Sequence, residues 1–208
     1  PLQQYIISFI PNNLSILHRF MMVNKSYYNL IKPRFEETFW EDLIDILGYH
    51  TSSMIRNGEN FEGGMNFNSA ILNKRNCLYI SRVIGRLDNL KGIYFWHNKM
   101  TLDGLKLLIT PLSNLNRLNE LYLGNNNVTD EGCIYLSSLL KHLPNLKWLN
   151  LCRNRISSIG CFHLSESLVY LKKLEYLVLC NNMIDCIGCK YLGDSLKELN
   201  HITNIYFN

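Results

Sequence analysis

From residue 90 onward the apolar positions obey one rule that repeats every 28 residues. Leu90, Leu118, Leu146, Leu174 and Ile202 stand at the same place in successive units. Three residues on come Ile93, Leu121, Leu149, Leu177 and Ile205, and two further Phe95, Leu123, Leu151, Leu179 and Phe207. Alternation through Leu121, Tyr122 and Leu123 predicts a short strand with the two Leu on one face and Tyr122 on the other. Later in the unit, Leu136, Leu140 and Leu143 are spaced by four and then three, which is one stripe of a helix. The stripe recurs as Leu108, Leu112, Leu115, as Leu164, Leu168, Leu171, and as Leu192, Leu196, Leu199. Each unit is therefore predicted to run strand, turn, helix, with strand and helix facing each other across a core. One unit cannot bury both faces, so neighbours must stack.

Two columns break the apolar rule in register. Asn98, Asn126, Asn154 and Asn182 fall where the chain leaves the strand, followed two residues later by Met100, Val128, Ile156 and Ile184. A buried amide there needs partners, and the backbone of adjacent turns can supply them. These Asn are expected to form an internal structural ladder. Gly104, Gly132, Gly160 and Gly188 mark the helix entry, where close packing or positive φ would favour glycine. The pattern extends backward in weaker form through Met65, Phe67, Ile80, Ile84 and Leu87, with Ala70 at the Asn position and Asn76 at the Gly position. The units are thus 62–89, 90–117, 118–145, 146–173, 174–201 and a partial 202–208. Terminal repeats need a polar cap. The apolar start at Ile202, Ile205 and Phe207 therefore predicts that the natural protein continues or that an end-to-end contact covers this edge.

The columns spell L-x-x-L-x-L-x-x-N-x-[IVM], as in Leu118, Leu121, Leu123, Asn126 and Val128. This resembles the leucine-rich repeat, and the spacing of 28 with a late Gly is similar to the ribonuclease-inhibitor-like subclass. The resemblance implies an α/β leucine-rich-repeat solenoid: a curved horseshoe with parallel strands on the concave face and helices on the convex face. Element widths argue the same way, since strands pack about 4.8 Å apart and helices are about 10 Å across.

Composition divides the chain. Of 35 Leu, 27 lie in residues 87–208, so the first part follows another rule. Hydrophobic residues make up 47% and charged residues 18%, which argues against a disordered chain. No apolar run approaches the roughly 20 residues that span a bilayer, and the first residues lack the features of a secretory signal. No membrane association is expected. A net charge of +4, dispersed along the sequence, gives no reason to invoke nucleic acid. Seven Cys cannot all pair within one chain, so reduced thiols and a cytoplasmic setting are expected, with the nucleus left open.

Residues 1–60 lack the period and are predicted to form a small helical segment, with stretches near 2–10 and 13–31. Ile6, Phe9, Ile10, Leu14, Leu17 and Phe20 can make one small core. Ile6-Ile7-Ser8-Phe9-Ile10-Pro11, then Val23-Asn24-Lys25-Ser26-Tyr27, then Leu30 resemble an F-box. Phe39-Trp40-Glu41-Asp42-Leu43 is similar to the aromatic segment that often trails it. That resemblance implies an adaptor role, in which residues 6–31 dock on a ubiquitin-ligase adaptor subunit through Ile6, Phe9, Ile10, Pro11 and Val23. The alternative is a helical cap that shields the first repeat.

On the strands, residues between the core positions face the concave surface. One column is Tyr94, Tyr122, Asn150, Val178 and Tyr206, and its neighbour Gly92, Glu120, Trp148, Tyr176 and Asn204. Beyond them run Trp96, Gly124, Cys152, Cys180 and His97, Asn125, Arg153, Asn181. Aromatics with Arg are what protein-binding hot spots use. The expected partner-binding residues are Tyr94, Trp96, His97, Glu120, Tyr122, Trp148, Asn150, Arg153, Tyr176 and Tyr206, although cross-repeat packing alone also explains some of the aromatics. Glu120 and Arg153 are candidates for a surface ion pair. Structural thiols are the favoured reading of the cysteines, with reactivity at Cys152 and Cys180 as the alternative, since thiols exposed on the concave face would be accessible. Cys77, Leu105, Cys133, Cys161 and Cys189 share one apolar slot at the first turn of the helices, with Cys186 in the preceding loop. Cys186 and Cys189 lack the further ligands zinc would need, so neither a metal nor a cofactor is expected. The six His occupy unrelated repeat positions and assemble no catalytic set. The expected function is a noncatalytic protein–protein interaction module, as the substrate-recognition subunit of a cullin-type ubiquitin ligase if the F-box resemblance holds. The alternative is a regulator of an enzyme or GTPase, or an effector or innate-sensing module.

Overall fold

In the computed structural model, residues 63–68, 72–84 and 87–207 are described; all lie in one compact unit, 43–208. The F-box-like segment, with Ile6, Phe9, Ile10, Pro11 and Val23, lies outside the described residues. Strands and helices alternate: β1 (Gly63–Asn66), α1 (Lys74–Ile84), β2 (Leu90–Tyr94), α2 (Leu102–Ser113), β3 (Glu120–Tyr122), α3 (Asp130–Leu140), β4 (Trp148–Asn150), α4 (Ser158–Leu168), β5 (Tyr176–Val178), α5 (Cys186–Leu196) and β6 (Asn204–Tyr206). The strands form one open sheet in sequence order, and every neighbouring pair is parallel. From β2 onward the register advances by the sequence period itself: Leu121 pairs with Leu149, and Leu149 with Leu177. This is an α/β solenoid with a leucine-rich-repeat-like unit.

The core lies between sheet and helices. Leu121, Leu149 and Ile93 from the strands are completely buried, as are Leu108 and Leu136 from the helices. Met65 and Phe67 are buried with them, and Phe67 stacks on Phe95 at 5.1 Å between ring centres. The helical stripe is shorter than its spacing predicts. Helix α3 stops at Leu140, yet Leu143 is fully buried beyond it. There the backbone turns back on itself, with Leu143 N–H donating to the Leu140 carbonyl and Leu146 N–H to the Leu143 carbonyl. Leu115, Leu171 and Leu199 occupy the same kind of turn after their helices. A turn that tight keeps the apolar side chain on the core side without continuing the helix.

Strands of three residues make few ladder bonds, and the Asn column supplies the rest. Asn154 Nδ2 donates across to Leu123 O (3.0 Å) and within its own turn to Leu151 O (2.9 Å). Its Oδ1 accepts from the backbone N–H groups of Asn126 (3.2 Å) and Val128 (3.1 Å). Asn126 repeats this with Phe95 O, Asn98 N and Met100 N, while Asn182 reaches Leu151 O and Ile156 N. Asn98 donates to Phe67 O.

The Gly column sits at the third residue of each of helices α2 to α5, and none of its members has positive φ. Close approach is the reason for it. A Cβ on Gly104 would lie 2.8 Å from Cys77 Sγ, on Gly160 3.1 Å from Cys133 Sγ, and on Gly188 3.2 Å from Cys161 Sγ. Each such glycine receives the first-turn thiol of the preceding helix. Positive φ falls instead on His97, Asn125, Arg153 and Asn181, where the chain turns out of the strand just before the Asn column.

Candidate functional site

Strand residues that alternate with the core positions, such as Glu120, Tyr122, Trp148 and Tyr176, point away from the helices and make one open face. Its two central columns pair in register: Gly92, Glu120, Trp148, Tyr176 and Asn204, beside Tyr94, Tyr122, Asn150, Val178 and Tyr206. Four aromatic rings join into one stripe that crosses from the second column to the first. Tyr94 meets Tyr122 at 5.1 Å, Tyr122 stacks on Trp148 at 5.9 Å, and Trp148 on Tyr176 at 4.1 Å. The last two pairs are within 16° and 14° of parallel. All four residues are half-buried. Part of each ring face is therefore spent on a neighbour, and edges and hydroxyls are what the stripe presents outward.

Glycines make room for the rings. A Cβ at Gly64 or Gly92 would fall 2.5 Å or 2.8 Å from the Tyr94 side chain. Trp96 covers Gly124, where a Cβ would come within 2.2 Å of the indole. Tyr94 Oη donates to Glu120 Oε2 at 2.7 Å. Burial, then this bond, pushes the Tyr94 phenol up to about 12, and burial with the nearby Glu120 charge does the same for Tyr122. Glu120 thus binds a tyrosine and does not join Arg153 in the ion pair expected of it. Arg153 and His97 are exposed on left-handed turns, and His97 Nδ1 contacts Asn125 Nδ2. Asn150 Oδ1 accepts from the Cys152 N–H two residues on, and Tyr206 is exposed on β6. Trp148 Nε1 is buried with no hydrogen-bond partner.

Three expectations about thiols need correction. Cys152 is only 5% exposed, so its thiol is not open to solvent, while Cys180 is half-buried. Burial pushes the Cys152 thiol up to about 12, and the adjacent Cys180 adds to that. Cys186 is the first residue of α5 and not part of the loop before it. Cys189 is exposed where Cys77, Cys133 and Cys161 are buried, since among the described residues no helix follows α5 to receive it.

The sequence reading missed a second exposed apolar area, on the helices. Ile134 and Phe162 share one repeat position with Lys106, and Ile159 and Ile187 share another with Asp103 and Glu131. Tyr191 packs edge-on against Phe162 at 5.3 Å. The signal was available in the chain: one column passes from Asp103 and Glu131 to Ile159 and Ile187, and the other carries Ile134 and Phe162 between Lys106 and Lys190. Among the described residues no three His, Cys, Asp or Glu side chains gather as a metal ion would require, and no helix is long and apolar enough to cross a membrane.

Among solved structures, the chain is similar to an internalin from Listeria monocytogenes, at 22% identity and a TM-score of 0.36. The alignment covers 71% of this chain and 48% of that one, so the chain spans about half the length of the internalin. No family model matches the sequence, and no curated protein matches it either.

Proposed function

We propose that this chain is a noncatalytic protein-recognition module of the ribonuclease-inhibitor-like leucine-rich-repeat subclass, which binds its partner on the open sheet face. The observation that carries the reading is the unbroken stripe of Tyr94, Tyr122, Trp148 and Tyr176, flanked by the exposed Arg153. Rigid aromatics held by their neighbours lose little entropy on binding, and Tyr, Trp and Arg dominate interface energetics. Trp96, His97, Glu120, Asn150 and Tyr206 complete the surface. In the finer form of the proposal, residues 6–31 dock on a ubiquitin-ligase adaptor subunit and the sheet face selects the substrate. Support for that form is the F-box-like sequence around Ile6, Phe9, Ile10, Pro11 and Val23.

Replacing Tyr122, Trp148 and Tyr176 together by Ala tests the surface. The expected outcome is loss of partners captured by the wild-type chain, with circular dichroism and unfolding temperature close to wild type. Collapse of the fold would make these residues packing elements only. Direct binding between the intact chain and a purified adaptor subunit tests the finer form, and absence of binding removes it while leaving the surface reading in place.

A further inference from the structure

Five of the seven cysteines stand on the helices, four in one repeat column and Cys186 at the start of α5, while Cys152 and Cys180 stand apart from them on the sheet face. The repeat puts Cys180 beside Cys152 at the ends of adjacent parallel strands. Asn150 pairs with Val178, and the backbone continues in step, with Leu151 N–H donating to Val178 O and Arg153 N–H to Cys180 O, both at 2.8 Å. Both side chains fall on the open face, in the column that begins with Trp96 and Gly124. Parallel neighbours are about 4.8 Å apart, within the range of about 4.4 to 6.8 Å between Cα atoms that a disulfide spans. The inner thiol, Cys152, is buried, and its partner is half-open to solvent.

We infer that Cys152 and Cys180 form a reversible dithiol–disulfide site on the sheet face, closed by a hydroperoxide and reopened by a thiol reductant. The half-exposed member reacts first. The Cys180 sulfur attacks the hydroperoxide, the O–O bond breaks, and Cys180 becomes a sulfenic acid as the alcohol, or water from hydrogen peroxide, departs. Cys152 sulfur then attacks the sulfenic sulfur, the S–O bond breaks, and the hydroxyl leaves with the thiol proton as a second water. Two electrons pass from the thiol pair to the peroxide. The buried Cys152 is shielded from the oxidant itself, so it resolves the sulfenic acid in place of reacting first. Closure staples β4 to β5 next to the Trp148–Tyr176 stack.

The competing product is a bond between the exposed Cys186 and Cys189, three residues apart on α5. The full chain is treated with a small excess of hydrogen peroxide, remaining thiols are alkylated, and the product is digested with trypsin and Asp-N. Asp185 lets the digest separate residues 174–184, which carry Cys180, from Cys186 and Cys189. The expected product is a cross-link between residues 148–153 and 174–184, lighter by two hydrogens, restored by dithiothreitol and lost in both C152S and C180S. The preference should vanish when the chain is unfolded in guanidinium before oxidation. Recovery of both cysteines as alkylated thiols while Cys186 and Cys189 become linked would overturn the inference. So would overoxidation of Cys180 to the sulfinic acid beside a free Cys152.

Discussion

A buried amide needs partners for its polar atoms, and Asn154 finds them in backbone groups of two successive turns, the preceding one and its own. Its Oδ1 accepts two N–H groups of the preceding turn and its Nδ2 donates to carbonyls of that turn and its own, so the side chain performs the joining that three-residue strands cannot. Replacement by Ala leaves those buried backbone groups unpaired. Asn154→Ala is expected to cost about 2–4 kcal/mol, from the penalty of about 1–3 kcal/mol for each stranded buried group partly offset by relaxation. Urea unfolding measures it, and a change under about 0.5 kcal/mol would show that water replaces the amide. Asp130 is a second bridge at this scale. Its carboxylate accepts from Ser157 N–H, Ser157 Oγ and Gly160 N–H, capping the first turn of the next helix and not its own.

Between elements, the contact that sets helix spacing is a thiol or Leu against a glycine. Cys77 meets Gly104, Leu105 meets Gly132, Cys133 meets Gly160 and Cys161 meets Gly188. Gly160 is the tightest of the four, because a Cβ there would also come within 2.5 Å of Asp130 Oδ1 and 2.8 Å of Ile156 Cγ2. Alanine is the better helix former by about 1 kcal/mol, so propensity alone argues for stabilisation. Overpacking of about 1–3 kcal/mol and the loss of the Asp130 cap outweigh it. Gly160→Ala should therefore lower the unfolding temperature. The same change at Gly193, which has open space around it, should not.

Across the molecule, stability is built from neighbour contacts, and the sheet face is shared by all the strands. Tyr94 and Tyr122 lie on that face with phenols raised from 10 to about 12. A raised pKa in the folded state means the neutral phenol is the stabilised form. Between pH 10 and 12 the unfolded chain releases these protons before the folded one does. Their contribution is thus fully present below pH 10 and is lost as pH rises toward 12. Absorbance at 295 nm should show these two tyrosines titrating well above pH 10 in the native protein, with stability falling over the same interval. Titration of both near pH 10 would mean that the face is open to water and Glu120 does not hold Tyr94. Replacing Glu120 by Gln should lower the Tyr94 value by removing the carboxylate charge.

Much of this architecture was legible in the chain because a solenoid converts spatial neighbours into a constant sequence offset. Leu121 touches what lies 28 residues away on either side, so one column of identical residues reveals both the burial and the register. Alternation told which strand residues leave the core, and the Asn column announced its own backbone partners. Distances between side chains carry no such period. The diagonal course of the aromatic stripe, the turn of Glu120 toward Tyr94 and away from Arg153, the burial of Cys152 and the seating of each first-turn thiol on the next glycine all depend on rotamers and element separation. So does the end of α3 at Leu140, three residues before the apolar stripe ends. The sequence alone determined the repeat and its inward and outward positions, since those follow from chain periodicity. Tertiary packing decided which outward groups engage one another, because that depends on how closely adjacent turns approach.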